Sequence, residues 1–249
     1  MSSIIATLAN LFESNNSDSF KAFVRDLTDE LHNELGFEVK KEEELEIKEV
    51  RDTINKLRAK NLDDDAFIKK FSDIFKENKM ESISEGTFFS SILFISALDE
   101  TNKIETFLEK FENAESPQMQ GRYRAVLGQV RDQNASKKIV EFMLDGRIRG
   151  ADCPYILASM ITNKYIGKKS WKVIKENFND LLSVMPDWTA SRILDALPAI
   201  YDEEFADDIK NFIKKNPLPS SEKLAAQKLE RLEANIEFMD NLKEVNNET

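Results

Sequence analysis

The sequence predicts an all-α fold, and three observations support this prediction. The chain of 249 residues contains 41% apolar residues, which is enough for a sizeable core. It has only 7 Gly and 6 Pro, whereas an all-β chain of this length would need turn residues for many hairpins. Residues 221–245 carry an apolar stripe with the spacing of an amphipathic helix: Ala225, Leu229, Leu232, Ile236 and Met239.

Helix boundaries in the first part of the chain are marked by capping residues. Ser17 can cap a helix that ends at Gly36, because serine is a preferred N-cap and glycine often follows a helix end. The acidic run 63–65 precedes the next clear helix, where carboxylates meet the positive end of the helix dipole. The apolar spacing of that helix predicts a buried face formed by Phe67, Phe71, Ile74 and Phe75.

Proline marks the boundaries in the second part of the chain. Ser116 followed by Pro117 indicates an N-cap with proline in the first helical turn, and Pro186 is predicted to open another helix. Pro217 and Pro219 separate the last two helices, after which Ser220 or Ser221 can cap the final one.

The helices follow one another with short connections, and about thirteen are expected over this length. Successive helix pairs of about forty residues, without a strict repeat, indicate an α-superhelix of HEAT or armadillo type. An irregular helical bundle has the same periodicity and stays an alternative. No linker is long enough to divide the chain, so residues 1–249 are predicted to form a single helical-repeat domain.

Charge and hydropathy exclude several function classes. The formal charge of −11 opposes binding to nucleic-acid phosphate, which depends on cationic contacts. The apolar run from Ile92 to Leu98 is much shorter than the roughly 20 residues that span a bilayer, so no membrane segment is expected. The first residues lack the pattern of a secretory signal, and a single cysteine excludes an intrachain disulfide. A cytoplasmic protein is therefore expected.

The residue types that carry hydrolytic chemistry are scarce. Zinc hydrolases usually need two histidines on one helix face, and His32 is the only histidine, so neither a metal site nor a catalytic triad is predicted. His32 is expected on a helix surface or partly buried, and Cys153, Trp171 and Trp188 in the core. The charged run 38–50 is interpreted as a solvated helix face.

Several ordered motifs resemble one family. The final helix carries Glu230, Asn235 and Phe238, and an earlier stretch carries Leu35, Gly36, Glu44 and Arg51. The best match is the segment 148–177, which contains Ile148, Arg149, Asp152, Gly167, Lys168, Trp171, Glu176 and Asn177. In this order the motifs resemble the C-terminal helical domain of the M1 zinc aminopeptidases, the family that includes the puromycin-sensitive and tricorn-interacting aminopeptidases. At Lys168 the family has an arginine, and this sequence is one residue shorter there.

The resemblance implies a non-catalytic role. The family's catalytic motifs, G-x-M-E-N and H-E-x-x-H, are missing here, so this chain alone is not expected to be an enzyme or to hold a cofactor. In relatives this domain is a HEAT-like superhelix that covers the active-site cavity and admits peptides. The implied partners are the catalytic domain of a parent peptidase, which would hold the zinc, and peptide substrates. The alternative function is a stand-alone helical-repeat scaffold for another protein.

Three residues are candidates for peptide contact, all within the best-matching segment. Arg149 and Lys168 can meet a peptide carboxylate, although exposed salt bridges within the domain explain both cations as well. Asp152 directly precedes a helix, where it can contact peptide or cap that helix.

Overall fold

The fold is described by a computed structural model that covers residues 18–38, 40, 42–77, 86–219 and 221–247. Within these ranges there are thirteen α-helices, one 3₁₀ helix and no β-strand, which confirms the all-α prediction. The proposed caps Ser17 and Ser220 lie outside the described residues. The described residues divide into two compact units, the first ending at Asp132 and the second beginning at Gln133. A single domain over residues 1–249 stays a prediction.

Unit 1 is built from neighbouring helices that pack in sequence order. Its described helices are α1 (Asp18–Leu35), α2 (Leu45–Asn61), α3 (Asp65–Lys76), α4 (Gly86–Ala97), α5 (Ile104–Glu112) and α6 (Pro117–Leu127). Helix α1 packs on α2, α4 packs on both α2 and α3, and α6 packs on α4 and α5. Because each helix contacts neighbours close in the sequence, unit 1 has the local packing expected of helix pairs.

The capping residues predicted in unit 1 lie where the sequence placed them. Gly36 follows α1 with a φ of +69°, and its N–H donates to the His32 carbonyl at 2.8 Å. The Asp64 carboxylate accepts the Phe67 N–H at 2.9 Å, and the Ser116 hydroxyl accepts the Met119 N–H at 3.2 Å. These caps confirm the predicted starts of α3 and α6.

The buried face of α3 differs slightly from the predicted one. Phe67, Phe71 and Phe75 are buried as expected, but Ile68 is buried with them and Ile74 is only half-buried. The face that meets the core is therefore rotated slightly from the predicted stripe.

The charged run 38–50 is not one solvated helix face, and this part of the sequence interpretation is wrong. Helix α2 begins only at Leu45, and Glu42 has a φ of +62°. Glu43 turns inward and accepts hydrogen bonds from both terminal nitrogens of Arg51, whose side chain is 1% exposed. The Arg51 Nε donates to the Leu35 carbonyl at 3.1 Å. Arg51 therefore joins the end of α1, the connection and α2.

Unit 2 contains the remaining described helices. They are α7 (Ala135–Leu144), α8 (Cys153–Ile161), α9 (Gly167–Glu176), α10 (Phe178–Val184), α11 (Asp187–Ala190), the 3₁₀ helix η1 (Ser191–Ala199), α12 (Glu203–Lys215) and α13 (Glu222–Asn247). Pro186 directly precedes α11, as predicted.

One layer of unit 2 consists of α7, α9 and α12. Helices α7 and α9 meet through the buried hydroxyls of Ser136 and Ser170, 2.8 Å apart. Helices α9 and α12 meet through an ion pair of Lys168 with Asp202 and a hydrogen bond from Trp171 Nε1 to Asp208 at 3.1 Å. Lys168 contacts Asp202, and Trp171, which lies later in α9, contacts Asp208, which lies later in the chain than Asp202. The two helices α9 and α12 therefore run in the same direction.

The second layer of unit 2 consists of α8, η1 and α13. Helix η1 packs against both α8 and α13, while α8 packs on α9 and α12 on α13. This two-layer order of helix pairs is the local arrangement predicted for a HEAT-like chain.

The apolar stripe of the last helix is confirmed. Leu232 and Met239 are buried, and the other three predicted positions are half-buried: Ala225, Leu229 and Ile236. Asn235, carried on the same side, donates its side-chain N–H to the Pro198 carbonyl of η1 at 2.8 Å. The stripe therefore fixes α13 against η1, so its pattern is explained by packing.

Candidate functional site

Arg149 lies in the connection between α7 and α8 and forms a local ion pair. Its Nε donates to the Asp152 carboxylate at 2.8 Å, and its side chain is 76% exposed. An ion pair this exposed contributes about 0–1 kcal/mol, so the guanidinium can exchange partners at little cost. The exposed salt bridge expected from the sequence is thus present.

Asp152 occupies the position before α8 but does not cap that helix through its side chain. Its backbone has helical torsions, with φ of −91° and ψ of −23°, whereas an N-cap that binds the backbone is usually extended. The capping interpretation of Asp152 is therefore wrong, because the carboxylate faces Arg149.

Lys168 lies in the first turn of α9 and connects this helix to α12. Its ammonium donates to one oxygen of Asp202 at 2.7 Å, while the other oxygen accepts the Phe205 N–H at 2.8 Å and caps α12. The Lys168 side chain is 62% exposed. Arg149 and Lys168 thus pair with two different carboxylates, each in a separate connection.

Two glycines near these cations are required by close backbone approach. A Cβ added at Gly150 would lie 2.0 Å from the Val184 carbonyl oxygen, and one at Gly167 would lie 2.4 Å from the Ile161 carbonyl oxygen. Real Cβ atoms do not approach other atoms this closely, so only glycine fits without a shift of the backbone. Gly150 thereby brings the connection that carries Arg149 against the segment that enters α11.

The two tryptophans have opposite environments, and only one was predicted correctly. Trp171 is buried, stacks edge-on against Phe212 and donates to Asp208, which confirms a core role. Trp188 is 75% exposed, so the prediction of a core position is wrong. Helix α11 has only four residues, and it buries Thr189 and Ala190 while Trp188 points away from them.

Trp188 and Tyr155 are surface aromatics that sequence reasoning missed. Tyr155 lies in the first turn of α8 and is 54% exposed, five residues after Gly150. Trp188 follows Pro186, whose Cδ would lie 3.4 Å from a Cβ at Gly150. The contact at Gly150 therefore places the starts of α8 and α11 beside each other. No spacing pattern in a four-residue helix could have revealed this surface.

Cys153 and His32 are explained by packing. Cys153 is buried, its thiol lies 3.5 Å from the Arg149 carbonyl, and burial followed by the nearby Asp152 charge raises the thiol pKa to about 12. His32 is partly buried against the edge of Phe67, and its pKa is lowered by burial and then by Arg58. The raised pKa keeps the Cys153 thiol protonated, and the contacts of His32 among the described residues are those of a packed side chain.

Metal binding and membrane insertion have no support in the part of the chain that the structure covers. Among those residues, no three or more His, Cys, Asp or Glu side chains are grouped so that they could hold a metal ion. None of the helices found there is both long enough and apolar enough to cross a bilayer. Around Gly150 the described residues form an exposed surface with one cation, Arg149, and two aromatic side chains, Tyr155 and Trp188.

Comparison with known families gives one match that covers nearly the whole chain. The family model of the ERAP1-like C-terminal domain matches residues 1–234. No curated protein matches the sequence. The match includes all the motif residues given above except Asn235 and Phe238 in α13. It covers unit 1 and the part of unit 2 that ends at Ala234.

Proposed function

Because the chain belongs to the ERAP1-like C-terminal domain family, we propose that it is the non-catalytic C-terminal domain of an M1-like zinc aminopeptidase. The family match over residues 1–234 is the observation that carries this proposal. The order of the motifs, which resembles that of M1 zinc aminopeptidases such as the puromycin-sensitive and tricorn-interacting enzymes, supports the proposal. Its catalytic domain is the proposed partner and the holder of the zinc. Location in the cytoplasm stays a prediction.

The proposed role is to cover the active-site cavity and to bind and size-select peptide substrates. A domain without catalytic groups can change a reaction only through which substrates enter and how they are held. Binding energy from the remote end of a peptide can position the reacting end, so a non-catalytic wall can raise the rate for long substrates.

The surface around Gly150 is the proposed peptide-contact region. Arg149 is exposed and forms a surface ion pair with Asp152, so a peptide carboxylate can compete with Asp152 for its guanidinium. Tyr155 and Trp188 present apolar area beside it, and aromatic side chains of this type are enriched in binding surfaces. Lys168, at the start of α9, can supply a second cation at a separate position, at the expense of its pair with Asp202.

Charge reversal at the two cations tests this role in the full-length enzyme. We expect R149E together with K168E to lower kcat/KM about fivefold for peptides that end in a free carboxylate, since each exposed pair contributes up to about 1 kcal/mol. Peptides of the same sequence with an amidated C-terminus should lose less than twofold. Steady-state kinetics on the two peptide series measures the difference.

The matched control reverses two exposed cations of unit 1. Lys69 forms a helix-surface pair with Asp73, and Lys103 precedes α5. The K69E/K103E variant changes the net charge by the same amount, and it should treat free and amidated peptides alike. Equal losses on both peptide series in the R149E/K168E variant would refute a carboxylate contact at these residues.

A further inference from the structure

A groove between α12 and α13 lies outside the surface around Gly150. It has a cavity volume of about 360 Å³, which is within the range of roughly 300–1,000 Å³ for small-ligand sites. Its floor is apolar and consists of Ala206, Leu232 and Ile236. The first two are buried and Ile236 is half-buried, so the floor continues the core of unit 2 up to the surface.

The walls of the groove follow from helical spacing. On α12, Glu203 and Asp207 are four residues apart and thus lie on one face. On α13, three lining residues lie three or four positions apart and therefore share the helix face that lines the groove: Glu233, Ile236 and Glu237. The apolar stripe that fixes α13 against η1 therefore has an acidic border on the side of α12.

The groove is strongly acidic even for this acidic chain. Five carboxylates line it, from Glu203, Asp207, Glu233, Glu237 and Asp240, together with the ammonium of Lys210, and Lys214 acts on Glu233 from outside the lining. The Lys210 ammonium crosses the groove from α12 and meets the Glu233 carboxylate of α13 at 2.6 Å. The mutual hydrogen bond lowers the pKa of Glu233 and raises that of Lys210. A lysine side chain thus already fits between the walls and forms an ion pair there.

The other end of the groove carries the remaining carboxylates. Only residues 216–221 connect α12 to α13, so the two helices run antiparallel. With Lys210 opposite Glu233, this direction places Glu203 and Asp207 opposite Glu237 and Asp240. In the residues that the structure describes, these carboxylates are not grouped as a metal site. Because the floor beside these carboxylates is apolar, the cation that suits them is an organic one with an apolar stem.

We propose that this groove binds a lysine or arginine side chain flanked by an apolar residue, presented by a polypeptide partner. The ammonium or guanidinium meets the carboxylates of the walls, and the alkyl stem and the apolar neighbour cover the floor around Ile236. Charge complementarity and the apolar floor both favour such a segment over an acidic or purely polar one. The proposal concerns the groove alone and does not depend on the function proposed above.

The test is a binding titration of the full 249-residue chain with a short cationic peptide. The probe is acetyl-Ala-Leu-Lys-Leu-Ala-amide, and its analogue with an acetylated lysine side chain removes only the charge. Amide chemical shifts in heteronuclear NMR report both affinity and location. We expect saturable shifts at Ala206, Leu232 and Ile236, and at least fivefold weaker binding of the acetylated analogue.

Two pairs of substitutions separate the groove from the general negative charge of the chain. The variant D207N/E237Q removes two wall charges and should weaken the peptide about fivefold, as for two partly exposed ion pairs. The control E204Q/E230Q removes two exposed charges from the same helices outside the groove and should change the affinity less than twofold. Circular dichroism confirms that each variant is folded.

Several outcomes would overturn the proposal. Equal weakening in the two variants would mean that the peptide responds only to net charge. The proposal would also be refuted if the chemical-shift changes clustered away from α12 and α13. It would be refuted as well if the cationic peptide showed no saturable binding. A third variant, I236T, should also weaken binding of the cationic peptide. An unchanged affinity would show that the apolar floor does not contribute to binding.

Discussion

Replacement of Arg51 by methionine is expected to lower the free energy of unfolding by about 3–5 kcal/mol, the usual cost of removing one partner from a buried ion pair. Arg51 is 1% exposed and its partner Glu43 is 10% exposed, so the carboxylate that is left behind would be largely shielded from water and would lose its guanidinium partner. The Leu35 carbonyl would lose its donor as well. Urea unfolding monitored by circular dichroism measures the change.

A control variant and the pH dependence distinguish loss of the Arg51–Glu43 pair from the loss of any other ion pair. Lys69→Met breaks an exposed pair and should leave the free energy of unfolding nearly unchanged. The hydrogen bond from Arg51 lowers the pKa of Glu43 below its ordinary value of 4.5. The contribution of the pair is therefore complete above pH 4.5 and is lost as the pH falls through the lowered pKa, so wild type and R51M should converge in acid. A loss below 1 kcal/mol at pH 7 would contradict the buried pair.

Replacement of Gly150 by alanine is expected to destabilise the chain by about 1–3 kcal/mol, the range for overpacking at a site that must move. The added Cβ would lie 2.0 Å from the Val184 carbonyl oxygen, which is backbone and cannot rotate away. The connection that carries Arg149 must then separate from the entrance to α11. Thermal or urea unfolding gives the magnitude.

Gly121 supplies a control of opposite sign. It lies inside α6, and a Cβ there meets nothing within 4 Å. Gly121→Ala should therefore stabilise the chain by about 0.5–1 kcal/mol, because alanine is the better helix former. If both alanine variants shifted stability in the same direction and by similar amounts, the close approach at Gly150 would be refuted.

Helix boundaries could be predicted from the sequence because they depend on local chemistry. Gly36, Asp64 and the Ser116–Pro117 pair act through their own torsions and hydrogen bonds to residues within four positions. The stripe of α13 was also predictable, since periodicity alone determines which side of a helix is buried. The 3₁₀ helix η1 was not predicted, because its turns do not follow the 3.6-residue period and it includes Pro198.

Contacts between distant residues could not be predicted in the same way. The resemblance gives Glu44 as the acidic member of the motif with Leu35, Gly36 and Arg51, whereas in the structure Glu43 binds Arg51. Two neighbouring glutamates are equivalent in a sequence, and the one that contacts Arg51 directly follows Glu42, which has a positive φ.

The sequence predicts the exposure of the two cations but not that of Trp188. Arg149 and Lys168 were identified as exposed cations, and the structure gives their partners as Asp152 and Asp202. Trp188 was assigned to the core because a large apolar residue near a helix start usually packs inward. Helix α11 is too short for its burial pattern to be read from spacing. Peptide contact at Arg149, Asp152 and Lys168 stays a prediction.

The most direct measurement of the central claim compares substrates of different length in the enzyme that carries this domain, with and without the domain. Both forms are assayed by kcat/KM on a one-residue amide and on a nine-residue peptide. A wall that holds the remote end of a peptide predicts that the truncated enzyme still cleaves the amide. Its loss on the long peptide should be at least about tenfold greater, or about 1.4 kcal/mol of transition-state stabilisation. Equal losses on both substrates, or no loss on either, would contradict a role in peptide binding.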